Sequence, residues 1–199
     1  MRYSDRSNMG KRYAIAIVVA LIFALLFGFL LDLIITKVEY AIYKKPEEYA
    51  SFVEKYSQKY DVPEHVIWSV MKAESGFDYT AKSSAGAIGL MQMMPETFED
   101  LTDNHLKEYF DSGILFDAET NIRYGTYYLS YLYDIYGNWS VVFAAYNAGL
   151  GNVNEWLEDT KYSSDGKTLD RIPFKETRKY VSKVDRYTEK YDKLYGMTK

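Results

Sequence analysis

The sequence predicts a mainly α-helical domain preceded by one N-terminal transmembrane helix. Three observations lead there. From Tyr13 to Leu31 the chain runs nineteen residues without a charge. Beyond residue 46, apolar side chains recur at three- and four-residue spacing in successive stretches, each bounded by proline, glycine or a capping Asp or Asn. Nowhere does apolar–polar alternation persist long enough to build a large sheet.

The N-terminal run comes first. At 1.5 Å per residue it reaches about 28 Å, close to the hydrocarbon thickness of a bilayer. Asp32 interrupts it, and Leu33-Ile34-Ile35 carry it on. A buried core helix of this length would keep a polar face, and this one is apolar all round. A cleavable signal would have a shorter apolar region with small residues at the cleavage site, and Phe29-Leu30-Leu31-Asp32 offers none. The chain has no cysteine, which excludes a lipid-modified one, disulfides and thiolate chemistry. The expected organisation is therefore an N-terminal tail over 1–12, an anchor over 13–35, a juxtamembrane segment over 36–45 and one globular domain over 46–199. Arg2, Arg6, Lys11 and Arg12 precede the anchor, opposed only by Asp5, whereas acids and bases mix beyond it. The positive-inside rule then places the N-terminus in the cytoplasm and the domain outside, in a single-pass topology.

In the domain, Pro46-Glu47-Glu48 opens a helix striped by Tyr49, Phe52, Val53 and Tyr56. Asp61-Val62-Pro63-Glu64 starts the next, with Val66, Ile67, Val70 and Met71 on one face, and it ends at Glu74. Residues 76–88 form a Gly-, Ser- and Ala-rich loop, followed by a short helical segment at Met91 and Gln92. Pro95-Glu96 begins a helix carrying Phe98 and Leu101. Asp117 caps a long helix stopped by Gly137, and Asn138 caps another over Trp139 to Ala148. A polar segment with a turn at Ser164-Asp165-Gly166 leads to a last helix from Phe174 toward Tyr195.

Glu74 is the candidate catalytic residue. It lies on the apolar face of its helix, three residues past Met71, just before the break at Ser75-Gly76-Phe77. A carboxyl so placed must be paired, hydrated in a cleft, or kept protonated. The last state suits a general acid working near neutral pH. The commoner reading of such a residue is a solvated or paired helix end, so Glu74 needs support from elsewhere in the chain. Other chemistries are poorly served. The first 36 residues hold four basic and two acidic side chains, leaving 20 and 26 to the rest, a net of −6, so nucleic acid is not an expected partner. His65 and His105 have no Cys or carboxylate partners at ligand spacing, so no metal and no cofactor is expected. The 21 tyrosines invite a sugar-binding reading, but Tyr124, Tyr128, Tyr131 and Tyr136 stand at helical spacing and read as packing.

That support comes from the order of four motifs. Glu74-Ser75-Gly76-Phe77 is followed by Gly86-Ala87-Ile88-Gly89-Leu90-Met91-Gln92-Met93-Met94-Pro95. Then come Ala144-Ala145-Tyr146-Asn147-Ala148-Gly149 and Ile172-Pro173-Phe174-Lys175-Glu176-Thr177-Arg178-Lys179-Tyr180-Val181. In this order and spacing they resemble the soluble lytic transglycosylase family, and Asn121-Ile122-Arg123-Tyr124-Gly125 with Tyr128-Leu129 fits the same pattern. The resemblance covers roughly residues 50 to 195. It implies a lysozyme-like helical fold and cleavage of the MurNAc–GlcNAc bond of peptidoglycan without water, leaving 1,6-anhydroMurNAc ends.

The resemblance also distributes roles. Glu74 is the catalytic acid and then base. Ser83 and Tyr146 resemble the family's hydrogen-bond donors near the muramoyl N-acetyl group and that Glu. Gln92 and Met94 resemble cleft-lining residues, Asn147 one that holds its turn or contacts sugar, and Tyr180 the tyrosine whose hydroxyl approaches the reaction centre. The expected partners are peptidoglycan glycan strands and, through the N-terminal helix, the cell membrane. A goose-type lysozyme-like hydrolase and a non-catalytic wall-binding module are the alternatives. The anchor is directly testable. The full-length chain should stay in the membrane fraction through a high-salt wash with its N-terminus intact, and residues 40–199 should be soluble. A mature N-terminus near Asp32 would instead reveal a cleaved signal peptide.

Overall fold

The computed structural model describes residues 3–108 and 111–197. Arg2, part of the basic flank, lies outside the described residues. The chain divides into two compact units, Met1–Lys44 and Lys45–Lys199.

In the first unit, helix α1 runs unbroken over Tyr3–Ile42, so the expected juxtamembrane stretch begins as a continuation of the helix. Every side chain from Lys11 to Ile35 is exposed. The mean hydropathy of its most apolar window is 3.1, with none of that window buried. An all-round apolar helix has no face to turn toward water.

The second unit is built from α2 (Ala50–Tyr60), α3 (Glu64–Glu74), α4 (Pro95–Asp100), α5 (Ala118–Tyr136), α6 (Trp139–Ala148), α7 (Leu150–Glu158) and α8 (Lys175–Tyr195). Short 3₁₀ turns occur at Glu47–Tyr49 and Ser112–Phe116, and a π-helical stretch, Leu101–Leu106, prolongs α4. The caps read from sequence are in place. Asp117 accepts the Thr120 N–H at 2.8 Å and Asn138 the Val141 N–H at 3.2 Å, each satisfying an otherwise orphaned donor. Helix α7, absent from the sequence reading, follows α6 directly across Gly149, whose φ of +87° separates the two.

Helix α3 lies deepest. Val66, Ile67, Trp68, Ser69, Val70, Met71 and Ala73 are all buried, between α8 on one side and α2 on the other. Helix α6, buried along Val141 to Ala145, packs on α8, α5 and α7, and α5 packs on α2. A second apolar cluster of Ile88, Met93, Phe98, Leu101, Leu115 and Tyr124 fills the space under α4.

The expected short helix at Met91 and Gln92 is instead a tight turn. Ile88 and Met93 exchange backbone hydrogen bonds at 2.9 Å across it, and Ile88 also pairs with Lys82. The apolar run Ile88 to Met94 reads like helix, but its peptide groups are claimed by other elements. The buried amide of Asn121 accepts the Met91 N–H at 2.7 Å and donates to the carbonyls of Ile88 and Leu115 at 2.9 and 2.8 Å. Two glycines admit this contact. A Cβ on Gly89 would lie 2.7 Å from the Leu115 carbonyl, and one on Gly125 would lie 2.8 Å from the Met91 Cβ.

Asn121→Ala would strand three buried polar groups at once. Each costs about 1–3 kcal/mol when unpaired, so the variant should lose about 3 kcal/mol or more of unfolding free energy in urea titrations. A loss below about 1 kcal/mol would mean that the turn holds its place without Asn121.

Candidate active site

The last residue of α3 is Glu74, and the chain leaves the helix through a locked corner. Ser75 Oγ donates to the Leu90 carbonyl at 2.8 Å and to the Met71 carbonyl at 3.3 Å, and accepts the Phe77 N–H at 3.1 Å. Phe77 has φ of +75°, a backbone region that non-glycine residues rarely occupy. It is retained where its ring packs edge-on against Trp68, centroids 6.0 Å apart.

The Glu74 carboxyl is half-buried and enters no ion pair among the described residues. Burial raises its pKa to about 7, and the nearby Tyr180 hydroxyl and Lys183 ammonium pull only partly the other way. Lys183 is fixed by donating to the Ala73 carbonyl at 2.6 Å. Tyr180 comes from α8 and is buried, and its hydroxyl completes no hydrogen bond of ordinary geometry, even to Glu74. Tyr146 comes from α6 and donates to the Met91 carbonyl at 2.8 Å. Burial first, and the Glu74 charge second, push both phenols well above their ordinary value. Both therefore remain neutral donors at any pH at which Glu74 titrates. Asp78, the next acid along the chain, is exposed, and its Oδ1 accepts from the Thr80 N–H and hydroxyl at 2.8 and 2.7 Å.

A cavity of about 200 Å³ opens beside Tyr146, lined by Gln92, Met94, Thr97, Tyr128 and Asn147 among others. Gln92 adopts φ of +48°, and its Nε2 donates to the Gly89 carbonyl at 2.9 Å and to the Ala81 carbonyl at 3.2 Å. Of the residues singled out from sequence, Tyr146 and Tyr180 thus gather at Glu74, while Gln92, Met94 and Asn147 line the adjoining cavity. Ser83 does not line it. Its hydroxyl accepts the Ala87 N–H at 3.0 Å and so shapes its own loop. Tyr128, read as packing, is a wall of the cavity, 5.4 Å from the Tyr146 ring centroid, and burial pushes its phenol up to about 12. Helical spacing cannot tell a face that meets the core from one that meets a cleft. Among the described residues, no group of three or more His, Asp or Glu side chains stands ready for a metal ion.

Residues 51–169 match the family described as the Transglycosylase SLT domain. The chain belongs to this family. The soluble lytic murein transglycosylase of Escherichia coli strain K12 is 36% identical over 154 residues, covering 76% of this chain and 24% of that protein. The membrane-bound lytic murein transglycosylase C of Actinobacillus pleuropneumoniae serotype 5b is 30% identical over 175 residues, covering 74% of this chain and 46% of its own. Among solved structures, an inactive Glu-to-Gln mutant of the Pseudomonas aeruginosa lytic transglycosylase Slt superposes with a TM-score of 0.67 at 30% identity, covering 77% of this chain and 25% of that one. The 70-kDa soluble lytic transglycosylase of Escherichia coli gives 0.64 at 33% identity, over 74% of this chain and 24% of that one. This SLT chain therefore spans about a quarter of the length of the soluble relatives it matches, and its lysozyme-like helical fold is theirs.

The raised Glu74 pKa has a measurable consequence for stability. A carboxyl at about 7 when folded and about 4.3 when unfolded contributes stability that is fully present below the unfolded value. That contribution is lost as pH rises through about 7. Glu74→Gln should therefore leave the melting temperature unchanged near pH 4 and raise it above wild type at pH 8. Equal melting temperatures at both pH values would show that Glu74 is not desolvated.

Proposed function

We propose that this chain is a membrane-anchored peptidoglycan lytic transglycosylase in which Glu74 acts first as acid and then as base. One observation carries the reading. A carboxyl with a pKa of about 7 ends a buried helix, faced by two neutral phenols and, among the described residues, with no second carboxylate beside it. The family membership and the names of its relatives support the same substrate, murein.

Protonated Glu74 donates to the glycosidic oxygen as the bond to the muramoyl C1 lengthens. The acetamido carbonyl of the same sugar stabilises the developing cation, the role a second carboxylate plays in most glycosidases. Glu74, now ionised, accepts the proton of the sugar's C6 hydroxyl, whose oxygen closes on C1 to leave a 1,6-anhydro end. A group whose pKa lies near the working pH is suited to both transfers. The unpartnered Tyr180 hydroxyl is a donor available to Glu74 when it carries charge, and Tyr146 holds the turn that lines the cavity.

Intramolecular attack explains why water need not enter. Well-oriented internal nucleophiles reach effective molarities of ~10⁵ M or more, against roughly 55 M for water. A hydrolase would need a group to position water on the opposite face, and Asp78 is engaged with Thr80 instead. The exposed apolar stretch of α1 over residues 13–35, interrupted only by Asp32, serves as the membrane anchor, with the N-terminus cytoplasmic and the domain facing the wall. A relative named as membrane-bound supports membrane association.

Digestion of murein in ¹⁸O-water should yield anhydro-ended muropeptides with no label at the new terminus. Glu74→Gln should cut the rate by at least ~10²–10⁴-fold with the fold retained. Reducing, labelled ends as the main product would identify a hydrolase. Undiminished turnover in a folded Glu74→Gln protein would remove Glu74 from the chemistry.

A further inference from the structure

The last carbonyls of α3 have no further helical turn to satisfy them. The Met71 carbonyl takes the Ser75 N–H at 3.1 Å and the Ser75 hydroxyl at 3.3 Å. The Ala73 carbonyl, one residue before Glu74, has a different partner, the Lys183 ammonium of α8 at 2.6 Å. A hydroxyl, an amide or water would satisfy that oxygen as well. Only a cation also brings a full charge to the negative end of the helix dipole.

That charge is placed among others of its own sign. Lys183 borders a groove of about 310 Å³ together with Arg178, Lys179, Ser182 and Arg186. Among the described residues, none of these four cations pairs with a carboxylate, and Arg178 donates to the Ile172 carbonyl at 2.6 Å. Burial first, and the Lys183 charge second, hold the Lys72 ammonium of α3 below its ordinary value, so a fifth cation stands close to Lys183. The acids of α8 are turned elsewhere, with Asp185 accepting from the Ser140 hydroxyl of α6 at 3.3 Å, near Glu189. Like charges gathered in this way repel, and negative charge arising beside them relieves the repulsion. Glu74 is where such charge arises. It follows the carbonyl that Lys183 holds, and Lys183 stands three residues past Tyr180, on the face of α8 that meets the carboxyl.

We propose that Lys183 is a positioning residue for Glu74: its ammonium, pinned to the Ala73 carbonyl, is the fixed positive charge against which the carboxyl ionises in each catalytic cycle. The other groups that face Glu74 are phenols, Tyr180 of α8 and Tyr146 of α6, and both stay neutral throughout its titration. Burial raises the Glu74 pKa, and Tyr180 and Lys183 oppose it. Lys183 forms no ion pair with Glu74, so it favours release of the proton without removing the basicity that the second transfer needs. The proposal deepens the transglycosylase reading and rests on it for the reaction. The acid form is lost as pH rises through the Glu74 pKa, so Lys183 sets the alkaline limit of turnover.

The test reads Glu74 directly in the full-length chain in detergent. Carbon NMR of isotope-labelled glutamate carboxyls follows the titration, and Glu74→Gln identifies the resonance. Lys183→Gln keeps a donor for the Ala73 carbonyl and removes the charge, whereas Lys183→Arg keeps the charge. In Lys183→Gln the Glu74 pKa should rise by on the order of one pH unit, the lower end of what a neighbouring cation does to a carboxyl. The alkaline limb of kcat/KM, which reports the free enzyme, should move up by the same amount. Lys183→Arg should return both to wild type. An unmoved titration in Lys183→Gln would leave Lys183 as a helix cap alone and overturn the proposal, as would an equal displacement in Lys183→Arg. Should Lys183→Gln not fold, Lys183→Ala is read in the same way. The products of the wild-type chain are scored separately. Reducing ends alongside a displaced titration would sink the transglycosylase reading and leave the coupling of Lys183 to Glu74 standing.

Discussion

The turn at residues 88–93 is where three helices meet, and the buried Asn121 amide is the contact that fixes it. From α5, Asn121 takes the Met91 N–H and donates to the Ile88 carbonyl. From the end of α3, Ser75 donates to the Leu90 carbonyl. From α6, Tyr146 donates to the Met91 carbonyl. Two consecutive peptide groups thus tie together the helix that carries the catalytic candidate and the helix that supplies a phenol. Such a network is costly to leave incomplete in a low-dielectric interior, so the cleft geometry is set by backbone polarity as much as by apolar packing.

Around Glu74, opposing influences leave the carboxyl poised. Burial alone would raise its pKa further, while a fully paired carboxylate would never donate a proton. Lys183 is near enough to attract the ionised form but is anchored on the Ala73 carbonyl. Tyr180 faces the carboxyl without completing a hydrogen bond. The resulting value of about 7 arises because neither partner fully compensates desolvation. Both phenols stay protonated for the same reason that Glu74 is raised: an anion in this setting lacks water.

The cleft wall is assembled from positions far apart in the chain. Gln92 and Met94 follow the turn, Tyr128 comes from the middle of α5, and Asn147 ends α6. Gln92 holds a left-handed backbone conformation, with its amide bonded to the Ala81 and Gly89 carbonyls. Strain of this kind persists only where surrounding contacts over-determine the backbone. The cavity is thus shaped by the fold itself, and a preformed cavity lowers the ordering cost of binding.

Much of this was legible in the sequence, for identifiable physical reasons. Caps and helix stops are local, so Asp117, Asn138, Gly137 and the span of α3 to Glu74 could be read directly. The apolar run after Tyr13 depends only on composition and length. The position of Glu74 on an apolar face, at a helix end before a break, already implied an unusual carboxyl. Other features required the folded chain. The stretch at Met91 looked helical, yet it forms a turn because Asn121, thirty residues away, claims its peptide groups. Tyr128 had the spacing of a core residue, and only the position of α6 turned it toward a cavity. Ser83 carried a family role as a donor, and the fold adds that its hydroxyl also accepts the Ala87 N–H of its own loop. Local sequence determined which helices form and where they stop. Which side chains share the space around Glu74 was decided by contacts between residues distant in the chain, and those have no periodicity to read.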